Sequence, residues 1–196
     1  CSPAAHVKEL VAKGHYPSFI YRGYKADLFE GGHRIPCVVR WPAKFPPHTV
    51  NQMVSLTDFY ATFSQLLLYP LKDNEGEDSY SLLSLLYNHK NKTPKEGNRK
   101  SIVSQSINGD FTIRKGMWKL LVSPTSGGWS YPTPNEKKEI LSQFPTIQLY
   151  NLTSDPRDKY NVYKSHLSVV RELITLLKQY ILEGRSTIGV KQRNFP

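Results

Sequence analysis

The sequence has little cysteine, little acidic charge and no long apolar run. Two cysteines, Cys1 and Cys37, are too few for a disulfide scaffold or a thiolate zinc cluster. No apolar run reaches the roughly 18 residues that span a bilayer, so no membrane partner is expected. Acidic residues number 16 against 26 lysines and arginines, and the formal net charge of +10 predicts attraction to anions.

What is present indicates a folded protein. Hydrophobic residues make up 39% of the chain and aromatic residues 12%, which is typical of a globular chain. A length of 196 residues allows one or two domains with a real core. The sequence has no helix-turn-helix pattern, no RNP-like strand and no zinc-finger spacing, so nucleic acid is not an expected partner.

The first half predicts helices around one buried strand. A short helix over residues 4–13 should end at Gly14. The apolar run at residues 35–41 predicts a buried strand, with Cys37 as a small buried side chain. A helix is predicted over residues 58–68, and a shorter one follows near residues 82–86. The apolar face of the longer helix is formed by Phe59, Thr62, Phe63, Leu66 and Leu67.

The second half changes to a period of two and ends in a long amphipathic helix. That helix is predicted over residues 166–182, with Gly184 ending it. Four short strands precede it, at residues 101–106, 110–114, 117–122 and 147–151. The fold class is therefore α+β, with a four-stranded antiparallel sheet packed on a long C-terminal helix. The polar residues 88–100 are the best linker candidate.

Residues 22–36 are the most informative stretch, because they predict a polar, glycine-bent loop beside an apolar run. Gly31 and Gly32 should allow a tight bend, and Glu30 should anchor the loop through backbone or arginine contacts. Arg34 is expected to be a buried ion-pair partner of Glu30 or Asp27. An anionic ligand would suit the cations of this loop, which are Arg22, Lys25, Arg34 and, if protonated, His33.

This loop resembles the second signature of the type I sulfatases, of the arylsulfatase sort, at residues 22–25 and 30–36. In that family the lysine of the signature contacts the sulfate group, and only Lys25 matches that position. The resemblance continues in order along the C-terminal half of such enzymes, at residues 55–58, 78–83, 113–120 and 149–156.

The resemblance implies a C-terminal fragment of the alkaline-phosphatase-like sulfatase fold. Residues 1–90 would end the large catalytic domain, and residues 100–196 would form the small antiparallel-sheet subdomain. The implied enzyme hydrolyses sulfate esters of a small molecule or glycan, uses calcium and a formylglycine, and is periplasmic or secreted. Residues 1–5, Cys-Ser-Pro-Ala-Ala, lack the arginine of the Cys-x-Pro-x-Arg nucleophile motif. Cys1 is therefore not the expected nucleophile, and the chain alone should make no metal site.

Two histidines are candidate substrate contacts beside Lys25. His15 precedes the signature lysine in a Gly-His-x-Pro-Ser run, and the alternative is a plain loop histidine. His33 lies within the signature itself. The aromatic residues of the loop at 127–131 either wall a sugar site or pack as a bridge between subdomains, and the sequence leaves both open.

The sequence alone leaves two other functions open. The positive charge also suits a non-catalytic binding module for anionic, sulfated polysaccharide. A phosphatase-like relative of the same superfold is a third possibility, which the Lys25 loop disfavours. The fragment alone should be inactive. The unpaired strand at 35–41 should drive self-association, and a clean monomer by light scattering would contradict this expectation.

Overall fold

The computed structural model describes residues 6–87 and 99–193, and it divides into two compact units. Unit 1 combines the chain up to Pro36 with Val103–Ile174, and unit 2 combines Cys37–Ile102 with the chain from Thr175. Most of the predicted linker, residues 88–98, lies outside the described residues. The predicted division at 90–100 refers to a complete sulfatase fold and stays a prediction.

The predicted four-stranded sheet is confirmed, with neighbours in sequence order β1-β2-β3-β4. Strand β3 pairs antiparallel with both β2 and β4, and Lys119 faces Arg114 on one side and Tyr150 on the other. Gly109 and Gly116 lie in the turns between β1 and β2 and between β2 and β3, with φ of 90° and 57°. The strands are β1 (Ser101–Gln105), β2 (Phe111–Lys115), β3 (Trp118–Leu121) and β4 (Gln148–Asn151).

The described helices include the four that the sequence predicted, three longer ones and the short one near residues 82–86, and two short ones that it did not. Residues 30–33 and 138–141 form single turns that the sequence did not indicate. A 3₁₀ turn, Tyr163–Ser165, precedes the last helix, and Gly184 follows it with φ of 65°. No described helix is long and apolar enough to cross a membrane. The helices are α1 (Val7–Ala12), α2 (Glu30–His33), α3 (Asp58–Leu66), α4 (Leu83–Leu86), α5 (Lys138–Leu141) and α6 (Leu167–Glu183).

The core of unit 1 joins residues 22–36, which we call the signature loop, to the sheet. Leu28 and Phe29 are fully buried, and the ring of Phe29 meets the edge of Tyr150 with centroids 6.5 Å apart. Leu121 and Leu152 complete this apolar cluster. Burying two large side chains removes apolar area from water, so the loop is fixed on β3 and β4 by a dominant folding force. The sheet therefore determines where the loop stands.

The predicted strand at residues 35–41 is wrong. These residues have no strand structure, and Val38 is 90% exposed. Cys37 is an exposed free thiol and not the buried side chain expected. A strand needs a neighbour for its backbone donors and acceptors, and among the described residues β1–β4 supply none to this run. Without a neighbour, an apolar run alone does not hold extended structure.

Helix α3 in unit 2 buries less of its apolar face than its spacing predicts. Thr62 is buried, donates its hydroxyl to the carbonyl of Asp58 and accepts the N–H of Leu82. Phe63 and Leu67 are 56% and 78% exposed. The periodicity is real, but Phe63 and Leu67 leave part of the face uncovered. Self-association through such exposed apolar residues stays a prediction.

Candidate functional site

Lys25 lies at the tip of a tight turn in unit 1. The amide of Asp27 donates to the carbonyl of Tyr24 at 3.0 Å, which closes a turn over residues 24–27. Ala26 has φ of 87°, the third-position geometry of a type II turn, where glycine is usual. A non-glycine residue keeps this conformation only when its surroundings enforce it. The turn is therefore a constrained one, and Lys25 projects from it as an exposed side chain.

The constraint comes from the carboxylate of Asp27, which is 1% exposed. Oδ2 accepts the amide of Tyr24 at 2.7 Å and so closes the turn a second time. Oδ1 accepts the amides of Trp129 at 2.7 Å and Ser130 at 3.1 Å, and the Ser130 hydroxyl also donates to Oδ2. A buried carboxylate with four donors is well satisfied. Asp27 thus fastens the Lys25 turn to the loop at 123–132.

The glycines of the signature serve close packing. A Cβ on Gly31 would stand 2.2 Å from the carbonyl oxygen of Gly23, and one on Gly32 would stand 2.3 Å from that of Asp27. Both lie in α2, and neither has a positive φ. The expected tight bend is therefore a compact single turn that lies directly against the Lys25 turn, where no side chain fits.

A buried cluster of charges holds the other side of the loop. The ammonium of Lys119, which is 2% exposed, lies 3.0 Å from Glu30 Oε1 and 3.6 Å from Asp158 Oδ2. The backbone amide of Glu30 donates to Asp158 Oδ2 at 2.6 Å. Arg34 pairs with Glu30 Oε2 at 2.6 Å, so the expected anchoring by Glu30 and pairing by Arg34 are both present, but the side chain of Arg34 is 40% exposed and not buried as expected. Buried charges of this kind are tolerated because they are paired.

The charges in this cluster shift one another's protonation. Burial raises the pKa of Glu30, but Lys119 and the Arg34 hydrogen bond more than offset this and bring the pKa to about 2. Burial also raises the pKa of Asp158, and the ammonium of Lys119 opposes that rise. Oδ1 of Asp158 is buried without a hydrogen-bond donor among the described residues. Glu30 is therefore the firmly ionised member of the cluster.

Of the four candidate cations of the loop, two are already engaged and a third is neutral. Arg22 donates to the carbonyls of Asp158 and Tyr131 and lies 3.8 Å from the centre of the Phe29 ring. Arg34 is paired as described. Burial and the Lys119 charge lower the pKa of His33 to about 4, so its ring is neutral at pH 7. In the described part of the chain, the ammonium of Lys25 has no ion pair or hydrogen bond.

The two histidines lie in different surroundings. His15 is exposed in the loop after α1. His33 ends α2 with its Nε2 atom buried and without a partner among the described residues, and its ring is hydrogen-bonded to the backbone of Leu28. Their contact with substrate stays a prediction. The geometry makes His15 the more accessible of the two.

The loop at 123–132 has a buried backbone and exposed aromatic side chains. Ser126 is 0% exposed, and its carbonyl accepts the amide of Leu28 at 2.7 Å. Trp129 and Tyr131 are 48% and 62% exposed. Within unit 1, Trp129 is therefore not a tightly packed aromatic residue.

The motif at residues 55–58 has a structural role in unit 2. The carboxylate of Asp58 is fully buried, accepts the amides of Ser55 and Tyr80, and pairs with Arg99 at 2.5 Å. Arg99 also donates to the carbonyl of Asp78 at 2.6 Å. These contacts tie together residues 55–58 and 78–83, two of the stretches that carry the family resemblance. They shape the fold rather than perform chemistry.

The described residues do not suit a calcium ion. They contain no group of three or more histidine, cysteine, aspartate or glutamate side chains that could hold a metal. The buried acids have other ligands, since Asp27 binds backbone amides and Glu30 binds cations. Calcium prefers six to eight oxygen ligands, which these engaged carboxylates do not offer.

Sequence reasoning missed Asp27, Lys119 and Asp158, the three residues that position the loop. Lys119 carried a usable signal, because strand periodicity places it on the same face as the buried Leu121. A lysine on an apolar face implies a buried carboxylate nearby. Asp27 and Asp158 had no comparable signal, since the donors that fasten Asp27 to the loop at 123–132 and the amide that donates to Asp158 lie more than 100 residues away.

Comparison with known proteins shows what these elements are similar to. The family model described as Sulfatase matches residues 11–69, which include the Lys25 loop. An N-acetylgalactosamine-6-O-sulfatase from Bacteroides thetaiotaomicron is 39% identical over 165 residues, covering 84% of this chain and 30% of the relative. Human arylsulfatase A is 27% identical over 171 residues, covering 83% and 32%. The chain thus spans about a third of the length of these relatives.

Solved structures match over the same extent. A sulfatase structure from work on glycosaminoglycan metabolism by Bacteroides thetaiotaomicron has 35% identity and a TM-score of 0.68, covering 86% of this chain and 33% of that one. The PsFucS1 sulfatase from Pseudoalteromonas has 18% identity and a TM-score of 0.60, covering 82% and 32%. The second likeness concerns the fold alone.

Proposed function

Over the part that it spans, this chain belongs to the sulfatase family, and from that premise we propose that it supplies the sulfate-holding side of the active site in a sulfuric ester hydrolase. The observation that carries the proposal is Lys25. It is an exposed ammonium without an ion pair among the described residues, and it stands on a turn that Asp27 and the Glu30 cluster hold in place. Loops held rigidly by a sheet are common carriers of binding groups.

Sulfate ester hydrolysis needs a nucleophile, an acid for the leaving alcohol, and cations that hold the sulfate oxygens. Lys25 meets the third need with a compact charge and three N–H donors. Its attraction to a sulfate oxygen strengthens as water is excluded from the site. The neighbouring arginines, engaged with Glu30, Asp158 and Tyr131, fix the loop instead.

The substrate that we propose is a sulfated glycan or a smaller sulfate ester. The relative with 39% identity is named an N-acetylgalactosamine-6-O-sulfatase, so 6-sulfated N-acetylgalactosamine is the first compound to test. His15, exposed ten residues before Lys25, is a second proposed substrate contact. His33 is a third, and its neutral ring would act there as a hydrogen-bonding group without charge.

The nucleophile and the metal ligands would come from outside this chain. Its sequence has no Cys-x-Pro-x-Arg motif, and its described acidic residues do not suit calcium. We therefore propose that formylglycine and calcium belong to a longer protein that carries this chain, and that this protein works in the periplasm or outside the cell. The isolated chain should be inactive.

The test is an aryl sulfatase assay on the purified chain and on the longer protein, each with and without added calcium. The expected result is no turnover by the chain above the buffer rate and clear turnover by the longer protein. Metal-dependent turnover by the chain alone would contradict the proposed division of the active site. Absence of turnover by the longer protein on both aryl sulfate and the sulfated sugar would contradict the activity itself.

A further inference from the structure

Trp129 stands out because an exposed aromatic ring is carried by a backbone that is almost entirely buried. The amide of Gly128 is hydrogen-bonded to the hydroxyl of Ser126, and the carbonyl of Gly127 accepts the side chain of Asn108 at 3.0 Å. Trp129 is nevertheless 48% exposed. A loop with this many internal bonds has little freedom, so the exposed position of the ring is set by the fold and not by loop mobility.

The loop at 123–132, which carries Trp129, lies directly against the turn at residues 24–27, which carries Lys25. A Cβ on Gly128 would stand 2.6 Å from the carbonyl oxygen of Ala26 and 2.5 Å from Asp27 Oδ1. Lys25 precedes Ala26 and Trp129 follows Gly128, so each is one residue away from this contact. Asp27 binds the amide of Trp129 as well as that of Tyr24. One carboxylate therefore holds together the two backbone segments that carry the cation and the ring.

The pairing has a clear chemical preference. Lys25 offers a positive charge, and Trp129 offers a flat apolar face with Tyr131, 62% exposed, two residues further on. An aromatic face packs well against C–H groups because its electron-rich surface meets their slightly positive hydrogens. A ligand that uses both groups has an anionic substituent on a ring whose faces carry C–H groups, as a sulfated pyranose does.

We propose that Trp129, extended by Tyr131, is a stacking platform for the sugar ring whose sulfate group is held by Lys25. The proposal rests on the proposed function and deepens it, because it assigns substrate specificity to residues after β3 in addition to the signature loop. Trp129 acts on the sugar and not on the sulfate. A substrate with a sulfate group but no sugar ring should therefore gain nothing from it.

The experiment is calorimetric titration of the full chain with three probes: 6-sulfated N-acetylgalactosamine, unsulfated N-acetylgalactosamine and inorganic sulfate. Trp129→Ala should weaken both sugars about tenfold and leave inorganic sulfate unchanged, and Trp129→Phe should restore most of the loss. Trp41→Ala is the matched control, because Trp41 is 43% exposed and lies in unit 2. Circular dichroism checks that each variant is folded.

The outcomes separate this inference from the proposed function. Lys25→Ala should weaken the sulfated sugar and inorganic sulfate but not the unsulfated sugar. If Lys25→Ala does not show this pattern of affinities but Trp129→Ala behaves as expected, the proposed sulfate contact of Lys25 is wrong and the stacking role of Trp129 is supported. Equal sugar affinity in the original chain and Trp129→Ala, or no saturable sugar binding by the original chain, would overturn the platform.

Discussion

Lys25 differs from the other cations of its loop in having no carboxylate or carbonyl to satisfy among the described residues. Arg22 and Arg34 spend their donors on backbone carbonyls and on Glu30. An unpaired ammonium on a fixed turn is what an anionic substrate group requires, since no internal ion pair has to break on binding. At this scale, the function that we propose for the loop depends on one side chain.

His33 provides a residue-scale prediction about pH. Its pKa is about 4 in the folded chain against an ordinary value of 6.5, mainly because burial disfavours the charged ring. The unfolded state therefore binds more protons between these values, and stability falls as pH decreases from 6.5 to 4. The full shift corresponds to at most about 3 kcal/mol. Urea unfolding midpoints, measured across this range, should show the decrease.

The matched pair of variants for this prediction is His33→Gln and His15→Gln. Replacing His33 removes its titration, so the variant should lose less stability between pH 6.5 and 4 than the original chain. His15 is exposed, and its replacement should keep the original dependence. Parallel pH curves for His33→Gln and the original chain would contradict the assignment. Glu30 and Asp158 titrate in all three proteins and cancel in the comparison.

At the scale of elements, strand β3 positions the signature loop. Lys119, in β3, pairs with Glu30 at the start of α2. Leu121, in the same strand, packs in one apolar cluster with Phe29 of the loop. One short strand thus provides both a charge and an apolar surface for the loop. Removing either the Lys119 charge or the Leu121 side chain should weaken the attachment of the loop to β3.

Lys119→Met tests the charged part of this support. The substitution leaves Glu30 and Asp158 buried without their ammonium, and removing one member of a buried pair costs about 3–5 kcal/mol. Lys115→Met is the control, because Lys115 pairs with Glu172 while both side chains are about half exposed, and such pairs contribute at most about 1 kcal/mol. Urea unfolding should separate the two variants clearly. Similar midpoints for both would show that the buried cluster does not stabilise the fold.

The elements that the sequence predicted well are those with a clear period. The four strands and α6 repeat apolar residues at spacings of two and of three to four, and their turns carry Gly109 and Gly116. The run at 35–41 has apolar character without the neighbour that a strand needs, so it was misjudged. The motif indicated the position of Lys25. It did not indicate the role of Asp27, because the Trp129 and Ser130 donors to this carboxylate lie more than 100 residues along the chain.

At the scale of the whole molecule, the proposed function gives this chain one part of a catalytic arrangement. It spans about a third of the length of the sulfatases that it matches. Its described residues provide a held cation and an exposed aromatic ring, while its sequence lacks the nucleophile motif of the family. Exposed residues such as Val38 and Leu67 fit an incomplete apolar surface, and self-association of the isolated chain stays a prediction.

The kinetics of Lys25→Ala should decide whether this residue holds the sulfate group, measured in the longer protein that we propose carries this chain, with 6-sulfated N-acetylgalactosamine as substrate. Loss of a charged group that holds the reacting sulfate should lower kcat/KM by on the order of 10²–10³ while the fold is retained. Lys13→Ala, another exposed lysine of unit 1, should behave like the unmodified protein. A kcat/KM for Lys25→Ala close to that of Lys13→Ala would contradict the claim that Lys25 holds the sulfate group.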